Sequence, residues 1–556
     1  MTAERAPVRP RGSRIARAAA LIAVLTIVAR LAGFARTLVF GKTVGFTGLG
    51  DAYNTANSIP NIVFEIVAGG ALAALVVPLL AGDLDRDDKD AVGATASTLL
   101  SWVLVLLVPL AVLVALLAGP IAALLAPGRP PVALAAGTGM LRIFAIQLPL
   151  YGVGIVLTGV LQAHRRFAWP VLAPLLSSLT VIGAYLGYAA IAPGRPELEQ
   201  VSRAGELTLS WGTTLGVLVL SLCLVVPVRR LGLPWRFTLR FPAGKWRPIR
   251  KLAWVGAVTV AAQQLALALT IALLNWHTVR GALVEFTQAQ TVYLLPWAVL
   301  AVPVATSAYP ALASASAAGD LERFRGTLAS ATRGVLLLSG LGAAALAALA
   351  WPAAWVYAHV AGDPAQVPGL AATIVGFAPG LLGYGLFALH SRALYAHRQN
   401  RAAAVATLAG WGAVAGFSVA LALLLPATVR VPAVAVANSV GMVVLGVVLL
   451  VLVARRCGTG ALGGVGRAGT AALVAGTLAA LAGIGVRSVL PGADGWFGVL
   501  GTSLLSGLVV AVVFGGVVLL MDRRTLADLP IPGRIGKWAR VGIRAGIGIG
   551  TREEGG

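Results

Sequence analysis

The sequence predicts an all-α polytopic membrane protein: two six-helix lobes in a parallel pseudo-repeat, followed by two more C-terminal transmembrane helices. Three observations carry this. Of 556 residues, 58% are hydrophobic and only 11% charged, with mean hydropathy +0.89, whereas soluble domains hold about 25% charged residues. Lys and Arg gather in alternate loops. A side-chain pattern also recurs at long, fixed spacing.

Apolar runs long enough to cross a bilayer recur along the whole chain, and the alternating segments of a β-barrel strand do not. Hydropathy and turn residues predict fourteen spans. Six lie near 18–41, 51–81, 93–118, 137–163, 167–192 and 207–228. Six more lie near 252–275, 284–313, 329–357, 368–396, 401–425 and 431–454, and the last two near 467–490 and 497–521. The units are a basic N-terminus (1–17), a first lobe (18–228), a basic linker (229–251), a second lobe (252–454), a C-terminal pair (455–521) and a basic tail (522–556). The N-terminal arginines precede an apolar run as in a signal peptide, but no small-residue cleavage site closes that run.

With the N-terminus in the cytoplasm, the cytoplasmic segments hold 32 Lys and Arg and the external loops 7. This bias predicts that both termini are cytoplasmic. It also accounts for the net charge of +23 without nucleic acid, which needs a basic face on a soluble domain. In the linker, eight cations alternate with Trp235, Phe237, Phe241 and Trp246. Such a segment is expected to lie in the headgroup layer, its cations on anionic lipid.

The repeat links Phe144-Ala145, Tyr151-Gly152, Leu161 and Ala163-His164-Arg165 with Phe377-Ala378, Tyr384-Gly385, Leu394 and Ala396-His397-Arg398, each 233 residues on. An offset of six spans gives both copies one orientation, so two lobes should face each other across an axis along the membrane normal.

No phosphate-binding loop, nucleophile elbow or zinc motif occurs, so neither an enzyme nor a cofactor is indicated. Cys223 and Cys457 are 234 residues apart, with no metal or disulfide spacing, and the five histidines are scattered. What stands out is charge inside spans, which costs about 2.5–3.5 kcal/mol for Arg or Asp at a helix centre. Arg30 and Arg36 lie on the first span and point about 120° apart on an ideal helix, with Gly33 between them allowing a bend. Guanidinium suits phosphate because its planar fork bonds bidentately. Asp51 opens the second span, where it can cap that helix, serve a ligand, or both. Pro60-Asn61 interrupts the span. Glu65 follows as a coupling site or ion-pair partner, and so does Glu285, in an eighth span made polar by Gln288 and Gln290.

The blocks Arg30-Leu-Ala-Gly-Phe-Ala-Arg36, Asp51-Ala-Tyr53, Ile59-Pro-Asn61, Gly70-Ala71, Val77-Pro78, Leu141-Arg142-Ile143, Gln162-Ala-His164-Arg-Arg-Phe167, Leu295-Pro296 and Arg392-Ala-Leu-Tyr395-Ala-His397 resemble the MurJ (MviN) family of lipid II flippases. That family lies within the superfamily of multidrug, oligosaccharidyl-lipid and polysaccharide exporters. The resemblance covers roughly residues 15–455. It implies alternating access, a multi-pass protein of the cell membrane, and a cavity whose arginines take the diphosphate of a polyprenyl-linked glycopeptide for peptidoglycan synthesis. Arg30, Arg36 and Asp51, with Asn61 beside them, fall on the family's polar positions and form the expected substrate-binding set. Cell-wall synthesis proteins are possible partners. Phe64-Glu65 and Gly69 depart from the family pattern, as does Thr291 where many members carry arginine. A flippase for another polyprenyl-linked glycan is the alternative, followed by a cation-coupled drug exporter and a non-transporting scaffold.

Overall fold

The structure, a computed structural model, describes residues 11–194, 196, 198–240, 246–276, 278–490 and 495–522, and the side chains of these except 11–23, 68–75 and 246–255. The described residues form helices and no strands. The first lobe comprises α1 (Arg11–Thr43), α2 (Gly48–Phe64), a π-turn at Glu65–Gly69, α3 (Gly70–Asp85), α4 (Lys89–Leu116), α5 (Ala118–Leu125), α6 (Pro131–Phe144), α7 (Gln147–Ala163), α8 (Ala168–Ile191), α9 (Arg203–Leu222) and α10 (Val225–Arg229). The second comprises α11 (Trp246–Asn275), α12 (Ala282–Pro296), a π-turn at Trp297–Ala301, α13 (Val302–Ala317), α14 (Leu321–Ala348), α15 (Ala350–Val360), α16 (Val367–Phe377), α17 (Gly380–Ala396), α18 (Asn400–Leu424) and α19 (Arg430–Cys457). The chain closes with α20 (Val465–Val489) and α21 (Trp496–Met521), which pack on α14.

Among the described residues, twelve helical segments are long and apolar enough to cross a membrane, and the pair α16–α17, bent by 42°, makes a thirteenth if taken as one span. The expected second span is helical from Gly48 to Asp85 but broken by its π-turn, and part of it, 68–75, lies outside the described side chains. Outward-facing leucines such as Leu116, Leu504 and Leu520 are 73%, 77% and 78% exposed. An apolar surface of this extent is what a lipid-facing bundle presents.

The repeat reaches down to backbone detail. Arg165 and Arg398 both take positive φ, 58° and 57°, where α7 and α17 end. Asp88 accepts from Ala91 N at 2.9 Å and Asp320 from Arg323 N at 2.9 Å, each capping a helix of 28 residues. The π-turns at Glu65 and Trp297 also correspond. Gly69-Gly70 closes the first and Pro296 and Pro303 bracket the second, as expected where the usual helical ladder is interrupted. A Cβ on Gly152 would come within 2.3 Å of Val103, and one on Gly385 within 2.2 Å of Ser339. These paired glycines let α7 approach α4, and α17 approach α14, as small residues do between membrane helices.

In the described part of the linker Phe237 is 73% exposed, and residues 234–240 run along α4. Arg236 N donates to Ser97 Oγ at 3.1 Å and Thr238 N to Ser101 Oγ at 3.1 Å, while Trp102 Nε1 donates to Leu239 O at 2.9 Å. The match is geometric: two extended residues advance about 6.6 Å and four helical residues about 6 Å. Residues 241–245, and the side chains of 246–251, lie outside the described set.

Candidate functional site: an interlobe latch and two polar interiors

Hydrogen bonds between the two lobes gather at the end of the bundle where α1 turns into α2. Its centre is Asp51, 2% exposed. Oδ2 accepts from Gly281 N at 2.8 Å and Arg129 Nη2 at 3.1 Å, and Oδ1 from Leu283 N at 3.0 Å and Val284 N at 3.3 Å. Asp51 therefore caps α12, in the opposite lobe. Its own helix is capped by Thr47, whose Oγ1 accepts from Gly50 N at 3.1 Å. The N-terminus of α12 offers free N–H groups and a positive dipole end, and its own N-cap residue is Gly281, without a side chain, so a carboxylate from outside satisfies both needs. Gly281 is required on two counts: φ is 80°, and a Cβ there would meet the Phe46 backbone at 2.7 Å.

Around this latch, Asn275 Nδ2 donates to Thr55 Oγ1 and to Leu125 O, both at 2.9 Å. Thr37 Oγ1 and Tyr357 Oη lie 2.8 Å apart. The Gln288 amide, 3% exposed, has neither its oxygen nor its nitrogen paired, and it stands beside Gly41 of α1. Elsewhere α11 runs along α3 and the first π-turn.

The second feature is the interior of the first lobe. Tyr53 Oη lies 2.9 Å from Tyr185 Oη and 2.8 Å from Thr213 Oγ1. Tyr151 Oη donates to Gln147 Oε1 at 3.3 Å, and Gln147 Nε2 to Thr214 Oγ1 at 3.3 Å. The phenols of Tyr53, Tyr151 and Tyr185 all lie within reach of the half-buried Arg36 charge. Arg36 forms no ion pair with a described residue. Asn61 Nδ2 donates to Asn57 O at 2.9 Å, and its side chain also meets Tyr151.

Of the expected set, Arg36 and Asn61 each lie near Tyr151, and Asp51 stands apart in the latch. Arg30 is exposed, on a face shared with Ile27 and Leu31, which are 60% and 61% exposed. Glu65 is half-buried where the π-turn begins and has no ion pair among the described residues. Glu285 is buried, with Thr373 Oγ1 donating to its Oε1 at 2.5 Å; no described cation pairs with it. Arg129, Tyr185 and Thr373 were not anticipated. No group of three or more metal-ligating side chains occurs among the described residues.

Two lobes related by a parallel repeat, a polar first-lobe interior and hydrogen bonds between the lobes gathered at one end define a two-lobed membrane transporter of the multidrug and lipid-exporter type. A solved multidrug transporter of that superfamily in an inward-facing conformation shares the fold, with a TM-score of 0.64 at 14% identity, over 80% of this chain and 98% of its own. A solved lipid II flippase MurJ in an inward closed conformation gives a TM-score of 0.71 at 18% identity, over 90% of this chain and 98% of that one. The family model described as lipid II flippase MurJ matches residues 40–519, and the chain belongs to that family. Among its relatives, a probable lipid II flippase MurJ of Synechocystis sp. is 30% identical over 42% of this chain and 44% of its own length. The lipid II flippase MurJ of Burkholderia cenocepacia is 26% identical over 68% and 73%.

Proposed function

We propose that this protein moves lipid II, a polyprenyl-diphosphate-linked peptidoglycan precursor, from the cytoplasmic to the external leaflet of the cell membrane by alternating access. The observation that carries the reading is Arg36: an arginine without a carboxylate partner among the described residues, near three tyrosines inside the first lobe. Its guanidinium offers bidentate donors to a diphosphate, and the phenols supply further hydrogen bonds. The positive-inside bias puts the Asp51 latch on the external side. In this arrangement the latch holds the external side shut, and the headgroup enters from the cytoplasm while its polyprenyl tail stays in lipid. The linker's exposed Arg236 and Arg240 sit at the cytoplasmic surface, where anionic lipid attracts them. Cell-wall synthesis proteins are its expected partners.

The test is depletion of the protein in cells that depend on it, followed by rescue with Arg36→Ala. Lipid-linked precursor should accumulate in the inner leaflet, and the variant should fail to relieve it. Full relief by Arg36→Ala would remove the diphosphate site. Accumulation of a different lipid-linked glycan would replace lipid II as substrate.

A further inference from the structure

The second lobe departs from the repeat at one corner of its cytoplasmic end. Arg392 of α17 stands 233 residues after Gly159 of α7. Pro78 of α3 and Pro310 of α13 hold the same position after their π-turns, so Tyr309 is the counterpart of Val77. In the first lobe this corner is closed by packing, since a Cβ on Gly159 would come within 2.4 Å of Val76. The second lobe has an arginine and a tyrosine where packing needs only a glycine and a valine.

An arginine near a cytoplasmic helix end is commonly a topology signal whose side chain reaches outward to water. Arg392 does not reach outward. It lies four residues before the end of α17, about 6 Å along the axis, and its Nη1 donates to Ala388 O, further from that end. The guanidinium is therefore turned back toward the membrane interior. It is half-buried and has no ion pair among the described residues. Tyr309 and Tyr395 lie near it: Tyr395 follows three residues on along the same helix face, and α13 packs against α17. These tyrosines are 41% and 45% exposed, and neither hydroxyl is bonded to a described residue. The group is open at the surface.

A cation flanked by exposed phenols repels metal ions and cationic ligands and attracts an anionic oxygen. Guanidinium binds phosphate through two parallel N–H donors, and tyrosines at the membrane boundary add a hydroxyl each. Arg398 and Arg401, just beyond α17, mark this end as cytoplasmic. The headgroup region is about 5–7 Å deep on each side of the hydrocarbon core, so a guanidinium at this depth lies beside the lipid phosphates.

We propose that Arg392, Tyr309 and Tyr395 form a site for the phosphate of an anionic phospholipid of the cytoplasmic leaflet, between α13 and α17. α13 follows the π-turn that breaks its span, and α17 is the second half of a span bent by 42°, so the lipid links the cytoplasmic halves of two interrupted spans. The site is independent of the diphosphate reading of Arg36, and either can fail without the other.

The test is native mass spectrometry of the purified full-length protein in detergent, titrated with phosphatidylglycerol, phosphatidylcholine or a polyprenyl diphosphate. Wild type should retain phosphatidylglycerol in preference to phosphatidylcholine. Arg392→Gln should weaken the tightest phosphatidylglycerol adduct about tenfold or more, and Tyr309→Phe about threefold, as expected for a charged and a neutral hydrogen bond. Arg398→Gln, whose exposed side chain lies beyond the helix end, should leave it unchanged. Tyr309→Phe removes one oxygen from an exposed ring, so it decides the matter if Arg392→Gln does not fold. Undiminished phosphatidylglycerol binding in these two variants, or no wild-type preference over phosphatidylcholine, would overturn the site. A loss equal or greater for the polyprenyl diphosphate would overturn its assignment to phospholipid.

Discussion

Asp51→Asn should open the latch. The carboxylate accepts four hydrogen bonds, three of them from backbone N–H groups of Gly281, Leu283 and Val284 and one from Arg129. An asparagine keeps one acceptor oxygen and turns an NH₂ toward the other donors, so two bonds to a charged acceptor are lost. At about 1.5 kcal/mol or more for each, the loss is on the order of 3 kcal/mol, within the 3–5 kcal/mol typical of breaking a buried ion pair. Each 1.4 kcal/mol is a factor of ten, so the latched population falls roughly a hundredfold relative to the open one. Spin labels at Gln200 and Val279, in a Cys223→Ser, Cys457→Ala background, straddle the lobes at this end. Their distance distribution should gain a longer component in Asp51→Asn. An unchanged distribution in a folded variant would show that the apolar contacts alone hold this end closed.

Gly281→Ala should act in the same direction, since an L-residue at φ 80° costs about 1–2 kcal/mol before the contact with Phe46 is counted; the same label pair reads it. Gln288→Leu should favour the latched state by about 1–3 kcal/mol, because it removes a buried amide with no partner, and should reduce the longer component seen in Asp51→Asn. Ser97→Ala with Ser101→Ala strips the acceptors from two linker N–H groups, so trypsin should cut faster at Arg236 and Arg240, with unaltered cleavage contradicting the strap. Gly385→Val should lower the melting temperature by overpacking α17 against Ser339, at about 1–3 kcal/mol.

The repeat was legible because it is written in side chains: Tyr151-Gly152 and Tyr384-Gly385 keep their identities, and the glycines turn out to be close helix contacts. Arg36 stood out only together with Arg30, as one of two expensive charges in an apolar helix. The latch was not legible, because Asp51 binds backbone amides, which carry no residue code. Its one trace is that α12 begins after Arg280-Gly281 without a capping side chain of its own. Arg30 and Arg36 differ by angle alone, and which face of α1 meets α8 is decided by packing that spacing does not encode. The linker's path was not legible, because composition records aromatics and cations, whereas the path is set by Ser97 and Ser101 on a distant helix.

That path limits how far the lobes can part. With residues 234–240 bound along α4, most of the linker moves with the first lobe, and the connection to α11 is only the chain from Arg240 to Trp246. Six residue steps reach at most about 22 Å when fully extended. The two lobes are therefore joined at this face by a short leash rather than a long loop, and any rocking motion must pivot close to it. Lengthening that leash, without touching the polar first-lobe interior, would alter the travel of the machine and leave its binding chemistry intact.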